Sequence, residues 1–369
     1  MTFTAFDHHC MARAMQLAKK GWYTTHPNPR VGCVIARHGV IVGEGYHRRA
    51  GEGHAEVNAL ADAGEQAKGA TAYVTLEPCN HDGRTGPCSR ALIAAGVTEV
   101  VYGMADPHKT ASGGIGTLLA EGIAVRGPLL ETEARALNPG FIQRCETGTP
   151  RVTLKLAMSL DGRTAMANGE SQWITGPAAR ADVQRLRAAS GAIVTGIGTV
   201  LDDDPSMNVR DASLGFVDGD HTVVRQPLRV IVDSALRTPA TARMLALEGD
   251  TLIATALPEA QFRSDFPPGV QQLSLPGSDR VDLVALLAVL AERECSEVLV
   301  EAGPTLSAAF VRAGLVDRVV IYMAGKLMGS TARPLLELPL EHMADARKLK
   351  IQDIRAVGDD WRITAITEK

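Results

Sequence analysis

Apolar positions along this chain recur with two periods, about 3.6 and 2, and the places where one gives way to the other mark its elements. Residues 7–20 carry Met11, Ala14, Met15 and Ala18 at helical spacing, with Asp7 placed to cap the start and Lys19, Lys20 and Gly21 to close the end. Residues 31–36 and 41–45 flank Arg37-His38-Gly39-Val40 as a hairpin, followed by a helix at 56–63 and a strand at 72–76. A short helix at 89–95 ends at Gly96, and a strand follows at 99–102. Helices and strands in this order predict an α/β unit whose sheet is covered by helices.

The polar stretch Cys145-Glu146-Thr147-Gly148-Thr149-Pro150 interrupts the pattern, and a strongly strand-like run at 152–158 opens a new one. A domain boundary is expected there, giving domains at residues 1–148 and 149–369. The second half predicts strands at 192–195, 229–232, 251–255, 298–300 and 318–323. Its helices fall at 178–189, 283–293 and 306–313. It too reads as α/β. Residues 211–226 are polar and read as a surface loop.

A chain of 369 residues with 45% hydrophobic and 22% charged content has material for two cores. Its longest apolar run, residues 283–291, is about half of what a bilayer span needs, and no basic-then-apolar signal segment opens the sequence. No membrane partner is expected. Six cysteines scattered through a long chain suit metal binding or burial better than disulfides, which points to a reducing, cytoplasmic setting. A net charge of −4 and 4% aromatic residues argue against nucleic acid as a partner, because phosphate backbones are held by clustered Lys and Arg and bases by aromatic platforms. Small-molecule substrates are favoured.

The chemistry concentrates in His54-Ala55-Glu56, Pro78-Cys79 and Cys88. One imidazole, two thiols and a separate carboxylate follow the zinc-deaminase pattern, except that the second cysteine lies nine positions after the first instead of three. Catalytic zinc keeps three protein ligands and an open position, and His54, Cys79 and Cys88 supply three. Glu56 is then the catalytic group, placed to move a proton between a water and a leaving amine. A closed structural site would need a fourth donor, with His81 and Cys33 as candidates.

His26-Pro27-Asn28-Pro29-Arg30-Val31-Gly32-Cys33, Gly53-His54-Ala55-Glu56 and the whole run from Glu77 to Cys88 resemble the bifunctional riboflavin-biosynthesis deaminase/reductase family. In the second half the likeness continues through Lys155-Leu156-Ala157-Met158-Ser159-Leu160-Asp161-Gly162-Arg163, Ser171-Gln172-Trp173-Ile174-Thr175, Asp203-Asp204-Pro205 and Glu301-Ala302-Gly303-Pro304-Thr305. The resemblance implies a cytidine-deaminase-like α/β/α domain followed by a dihydrofolate-reductase-like α/β domain. It implies zinc-dependent deamination of 2,5-diamino-6-(5-phosphoribosylamino)pyrimidin-4-one, then reduction of the ribosyl group of 5-amino-6-(5-phosphoribosylamino)uracil to ribityl with NADPH, a preference that is inherited from the family.

By the same resemblance Asn28, His47, His81 and Arg84 line the deaminase pocket, Arg84 as a phosphate anchor. NADPH is met by Ala157, Trp173, Thr199, Asp203 and the turn Gly303, Pro304, Thr305 and Leu306. The reductase substrate is met by Lys155, Ser171, Arg187, Met207, Arg210 and Glu301. Asn80, Gly86 and Asn208 depart from the serine, proline and threonine more usual in the family. A complete G-x-G-x-x-G is absent, since Gly196-Ile197-Gly198 is followed by Leu201 where the third glycine would fall. A homo-oligomer, dimer or tetramer, is expected. Two other readings stand beside this one: a nucleic-acid or nucleoside deaminase fused to an unrelated reductase-like domain, and a zinc-stabilised binding module without turnover.

Overall fold

The computed structural model describes residues 2–81, 86–210 and 224–368. The chain divides into two compact units, Met1–Thr149 and Pro150–Lys369. Mixed α/β structure fills both, as the periodicity predicts.

The first unit runs α1 (Ala5–Ala18), β1 (Gly32–Arg37), β2 (Val40–Tyr46), α2 (Ala55–Ala63), β3 (Thr71–Val74), α3 (Cys88–Ala94), β4 (Glu99–Tyr102), α4 (Gly114–Ala120), β5 (Ala124–Arg126), α5 (Glu131–Leu137) and α6 (Pro139–Thr147). Its sheet has the order β2-β1-β3-β4-β5, with β1 antiparallel to both neighbours and β3, β4 and β5 parallel. Cys33 pairs with Gly45 and Ile35 with Gly43, so these four share one face, and Gly32 and Val34 share the other. Helix α2 lies against the first face so closely that a Cβ on Gly43 or Gly45 would strike the α2 backbone at Ala55, Ala59 or Ala63. Helix α1 packs on the opposite face at Gly32. The start of α2, where His54 and Glu56 sit, is thereby fixed against the sheet.

One cap differs from the sequence expectation. Asp7 is not the N-cap of α1; Thr4 is, and its hydroxyl accepts the Asp7 N–H while Asp7 accepts the Thr4 N–H, a reciprocal pair that starts the helix earlier. The stretch at 145–150 is also less of a linker than its polarity suggests. Cys145, Glu146 and Thr147 are the last turn of α6, which stops at Gly148 in the left-handed region, φ 74°.

The second unit contains β6 (Arg151–Ser159), β7 (Arg163–Ala165), α7 (Pro177–Ala188), β8 (Ala192–Gly196), α8 (Ile197–Asp203), β9 (Leu228–Val232), β10 (Thr251–Thr255), β11 (Val270–Ser274), α9 (Leu283–Glu292), β12 (Glu297–Val300), α10 (Pro304–Arg312), β13 (Arg318–Ala324), β14 (Arg333–Pro334), β15 (Leu349–Val357) and β16 (Asp360–Thr367). Nine strands form one sheet in the order β11-β10-β9-β8-β12-β6-β13-β16-β15, and β7 and β14 make a small separate ribbon. From β11 to β13 the strands are parallel; the last two join antiparallel. Leu154, Val194, Val230 and Val300 bury toward one face with Leu286 and Phe310, whereas Ile193, Ile231 and Ile253 bury toward the other with Val200 and Met244. The chain moves outward from β8 to β11 and returns to insert β12 between β8 and β6. In open α/β sheets ligands bind beyond the carboxyl ends of strands where the order reverses.

Candidate active sites

In the first unit two helix starts meet. His54 is the N-cap residue of α2, Cys88 opens α3, and Cys79 lies in the segment leaving β3. Their donor atoms all fall within 4.8 Å of one another. His54 Nδ1 is 3.2 Å from Cys88 Sγ and 3.5 Å from Cys79 Sγ. Tetrahedral zinc with its usual bond lengths separates nitrogen and sulfur ligands by about 3.5 Å, so the three donors fit that ion. Neither Cys33 nor His81 joins the group among the described residues. Cys33 is buried in β1, and three donors are what a site with one open position requires.

The Cys88 thiol hydrogen-bonds to Cys79 and holds it down to about 4, while Cys88 is pushed up in return. Glu56, in the first turn of α2, is only 3% exposed. Burial pushes its carboxyl up to about 7, and the nearby Cys79 charge adds to the rise.

Two of the expected pocket residues arrive together. His47 donates from Nδ1 to the Gly53 carbonyl at 3.2 Å and accepts from Asn28 Nδ2 at Nε2, 3.1 Å, and its ring meets that of His54 edge-on with centroids 5.2 Å apart. Burial pushes its pKa down, which favours the neutral ring this network uses. His81 Nδ1 is buried and has no hydrogen-bond partner among the described residues, a polar atom left for a ligand. Arg84 lies outside the described residues.

Sequence reasoning assigned no role to two side chains that shape this site. Asn58 donates to the carbonyls of Tyr46 and Gly53 and so fixes the turn before His54. Glu77, within the run that resembles the riboflavin family, is 7% exposed and accepts three backbone N–H groups. A carboxylate directly after the strand-like Val74-Thr75-Leu76 was the available signal.

In the second unit Arg187 reaches from α7 to Glu301, just past β12, with Nε and Nη2 on the two carboxylate oxygens at 2.6 and 2.9 Å. Both side chains are largely buried, 14% and 9% exposed. Arg187 also donates to the Asn208 carbonyl at 3.1 Å and touches the Met207 sulfur, so the substrate candidates Arg187, Glu301 and Met207 are joined. Lys155 on β6 faces this pair, and burial lowers its pKa against the pull of Glu301. Thr195 follows Val194 on β8, beside the same row, and its buried hydroxyl has no partner among the described residues.

Around this cluster, Ser171 donates to Asp203 at 3.2 Å and the Gly303 N–H donates to Thr199 at 3.2 Å. Leu306 packs over Gly196, and Ala157 lies on β6. Helix α10 begins at Pro304 with no side chain capping it, at the carboxyl end of a central strand. An uncapped start of that kind suits an anionic phosphate, so the turn fits a dinucleotide. Thr305 instead turns its hydroxyl to Glu337, 2.7 Å. Trp173 is 64% exposed beneath the Arg180 guanidinium, and Arg210 is exposed with its N–H bound by Gln184. Both side chains are exposed, unlike those of the buried cluster.

Comparison with known proteins agrees with both halves. Residues 150–363 match the family described as the RibD C-terminal domain, and residues 4–104 match the cytidine and deoxycytidylate deaminase zinc-binding region. The riboflavin biosynthesis protein RibD of Escherichia coli K12 is 51% identical over 360 residues, covering 96% of this chain and 97% of that protein. The Haemophilus influenzae protein of the same name is 46% identical, covering 99% and 98%. A solved structure of Acinetobacter baumannii RibD aligns with TM-score 0.91 at 44% identity over 99% of both chains. A second, the Thermotoga maritima diaminohydroxyphosphoribosylaminopyrimidine deaminase/5-amino-6-(5-phosphoribosylamino)uracil reductase, aligns with TM-score 0.85 at 31% identity over 98% of this chain and 99% of that one. With a His/Cys/Cys donor cluster beside a buried carboxylate in one unit and a buried Arg187–Glu301 pair in the other, the chain belongs to the RibD family of bifunctional riboflavin-biosynthesis enzymes, which join a zinc-dependent deaminase to an NADPH-dependent reductase.

Proposed function

We propose that residues 1–148 deaminate 2,5-diamino-6-(5-phosphoribosylamino)pyrimidin-4-one and residues 149–369 reduce the ribosyl group of 5-amino-6-(5-phosphoribosylamino)uracil, with His54, Cys79 and Cys88 as zinc ligands. The observation that carries the reading is the three-donor cluster with Glu56 buried beside it. Zinc, when bound there, acidifies a water. Glu56, buried beside the three donors, would take a proton from the attacking water and return one to the departing amine, the water oxygen bonding to the ring carbon as the bond to nitrogen breaks and ammonia leaves. His47, held neutral by Asn28 and Gly53, and His81 position the pyrimidine, with Arg84 taking the phosphate.

In the second unit the α10 turn from Gly303 to Leu306, with Ala157, Trp173, Thr199 and Asp203, holds NADPH, whose role is to supply a hydride. Lys155, Ser171, Arg187, Met207, Arg210 and Glu301 orient the phosphoribosylamino group. Removing metal tests the division. Treatment with a strong chelator is expected to abolish ammonia release, leave the circular dichroism spectrum unchanged, and spare NADPH oxidation on the deaminated substrate. Unfolding on chelation would instead favour a structural metal.

The working form is proposed to be a cytosolic homo-oligomer, dimer or tetramer, without nucleic-acid or membrane partners. None of the six cysteines is paired in a disulfide, as expected of a reducing compartment. Strand β15 closes one edge of the sheet, and it and its neighbour expose Leu349, Ile351, Ile354 and Trp361. An unpaired apolar edge is a surface for a second copy. Sedimentation should give a mass above the 39.1 kDa of one chain, and lysine at both 351 and 354 should lower it to that value. A monomeric parent protein would contradict the proposal.

A further inference from the structure

Cys79 is a ligand without a helix or strand of its own. It lies five residues past the end of β3, in a segment that must be held from outside if its sulfur is to stay within bonding range of a metal. The structure shows what holds it. Glu77 Oε1 accepts the N–H groups of Gly113 and Ile115 at 3.0 and 3.2 Å, and Oε2 accepts that of Asp106 at 3.2 Å. Its own N–H donates to the Met104 carbonyl at 2.9 Å, and the Asn80 N–H donates to Ala111 at 2.9 Å. One side of the segment 77–80 is thus bound to residues 104–115. The contact leaves no slack: a Cβ on Gly114 would overlap the Pro78 carbonyl oxygen. On the other side the Ser89 N–H donates to the Cys79 carbonyl at 3.2 Å and the Ser89 hydroxyl to Asn80 at 2.7 Å, which ties the segment to the helix that starts at Cys88.

We propose that Glu77 is a positioning residue for the metal site: its carboxylate, saturated by three backbone donors from the loop 104–115, fixes the Pro78-Cys79 turn so that the Cys79 sulfur is held at ligand distance from His54 and Cys88. Glu77 does not touch metal or substrate. Three N–H groups converging on one buried carboxylate form a clamp, because removing the acceptor leaves three part-buried backbone donors without it and frees the turn to shift. Groups that orient a ligand indirectly in this way typically matter by about ten- to a hundredfold in metal affinity. The inference rests on the reading of His54, Cys79 and Cys88 as zinc ligands.

The test is zinc release from the loaded full-length protein into a chromophoric chelator, with the circular dichroism spectrum and the melting temperature as the controls for folding of the first unit. Release is expected to be about tenfold faster from Glu77→Ala than from the parent. Glu77→Gln should lie between the two, since an amide keeps one acceptor oxygen but turns an NH2 toward one of the backbone donors. Tyr73→Phe serves as the stability control: it loses the buried hydrogen bond from Tyr73 to Asp7 elsewhere in the same unit, and it should lower the melting temperature without changing zinc release. Release from Glu77→Ala no faster than from Tyr73→Phe overturns the proposal. Where Glu77→Ala does not fold, Glu77→Gln decides on the same comparison. Cys79→Ser separates the two layers of argument. If it binds zinc as the parent does, the ligand assignment has failed; if it loses zinc while both Glu77 variants retain it, only the positioning role has.

Discussion

Glu56→Gln is expected to lower the rate of ammonia release by about a thousandfold, in the middle of the range that a positioned acid–base group supplies. The amide keeps the shape of the side chain, so the buried first turn of α2 and the small-residue contact beneath it are retained. What is lost is the capacity to take up a proton and give it back. Zinc content by atomic absorption should equal that of the parent protein, because Glu56 is not among the three donors. NADPH oxidation on the deaminated substrate should also be unchanged, since the second unit has its own sheet and its own cluster of charges. Ammonia release within tenfold of the parent rate would remove Glu56 from the chemistry, and loss of both activities in a folded, zinc-replete variant would remove the idea of two separate sites.

The second large effect lies at the Arg187 to Glu301 pair of the second unit. Arg187→Met leaves the Glu301 carboxylate buried without its bidentate partner, and breaking a buried pair from one side costs about 3–5 kcal/mol. Calorimetry should show the melting transition of the second unit falling, with that of the first unchanged. Pairing Arg187→Met with Glu301→Leu removes both charges, and replacing both members of such a pair by apolar groups is often neutral or stabilising. Because it also leaves the buried Lys155 without Glu301, the double variant is expected to regain only part of the lost stability and none of the NADPH oxidation. Reduction at the parent rate in the double variant would show that the pair is structural alone.

The metal site was legible in the sequence because its members are chemically rare and locally spaced. His54 and Glu56 are two apart at a helix start, and Pro78-Cys79 precedes Cys88 by a single loop. The central strands were legible for a similar reason: β8, β10 and β12 are largely β-branched or apolar runs buried along nearly their whole length, and each predicted element falls within two residues of an observed one. What the periodicity passed over has a physical explanation in each case. Helices α5 and α6 are each short and meet at Asn138-Pro139, which breaks the helical pattern. The hairpin β15–β16 runs along the sheet edge, where β15 is exposed on both faces and burial imposes no alternation. Helix α8 starts at Ile197-Gly198, a sequence first met as an incomplete glycine fingerprint.

Of the cleft residues, the Arg187 to Glu301 pair spans 114 positions, and no local pattern could have joined them. Only the family resemblance placed both in one pocket. Trp173 and Arg187 also reverse what their residue types suggest, the aromatic being exposed and the helical arginine enclosed. Neither reversal can be read from period or composition, because each depends on which strand ends lie next to which.

The close seating of α2 on Gly43 and Gly45 has a consequence for how this protein can vary. A helix that touches its sheet through glycine and alanine has no side-chain cushion to absorb an insertion. A single methyl added at that seam would be transmitted along a stiff rod to the imidazole at its tip. Substitutions there should be as damaging to hydrolysis as changes to the ligands themselves, although none of those positions carries a reactive atom, and a mutational scan would find an inert stripe of tiny residues behaving like part of the machinery.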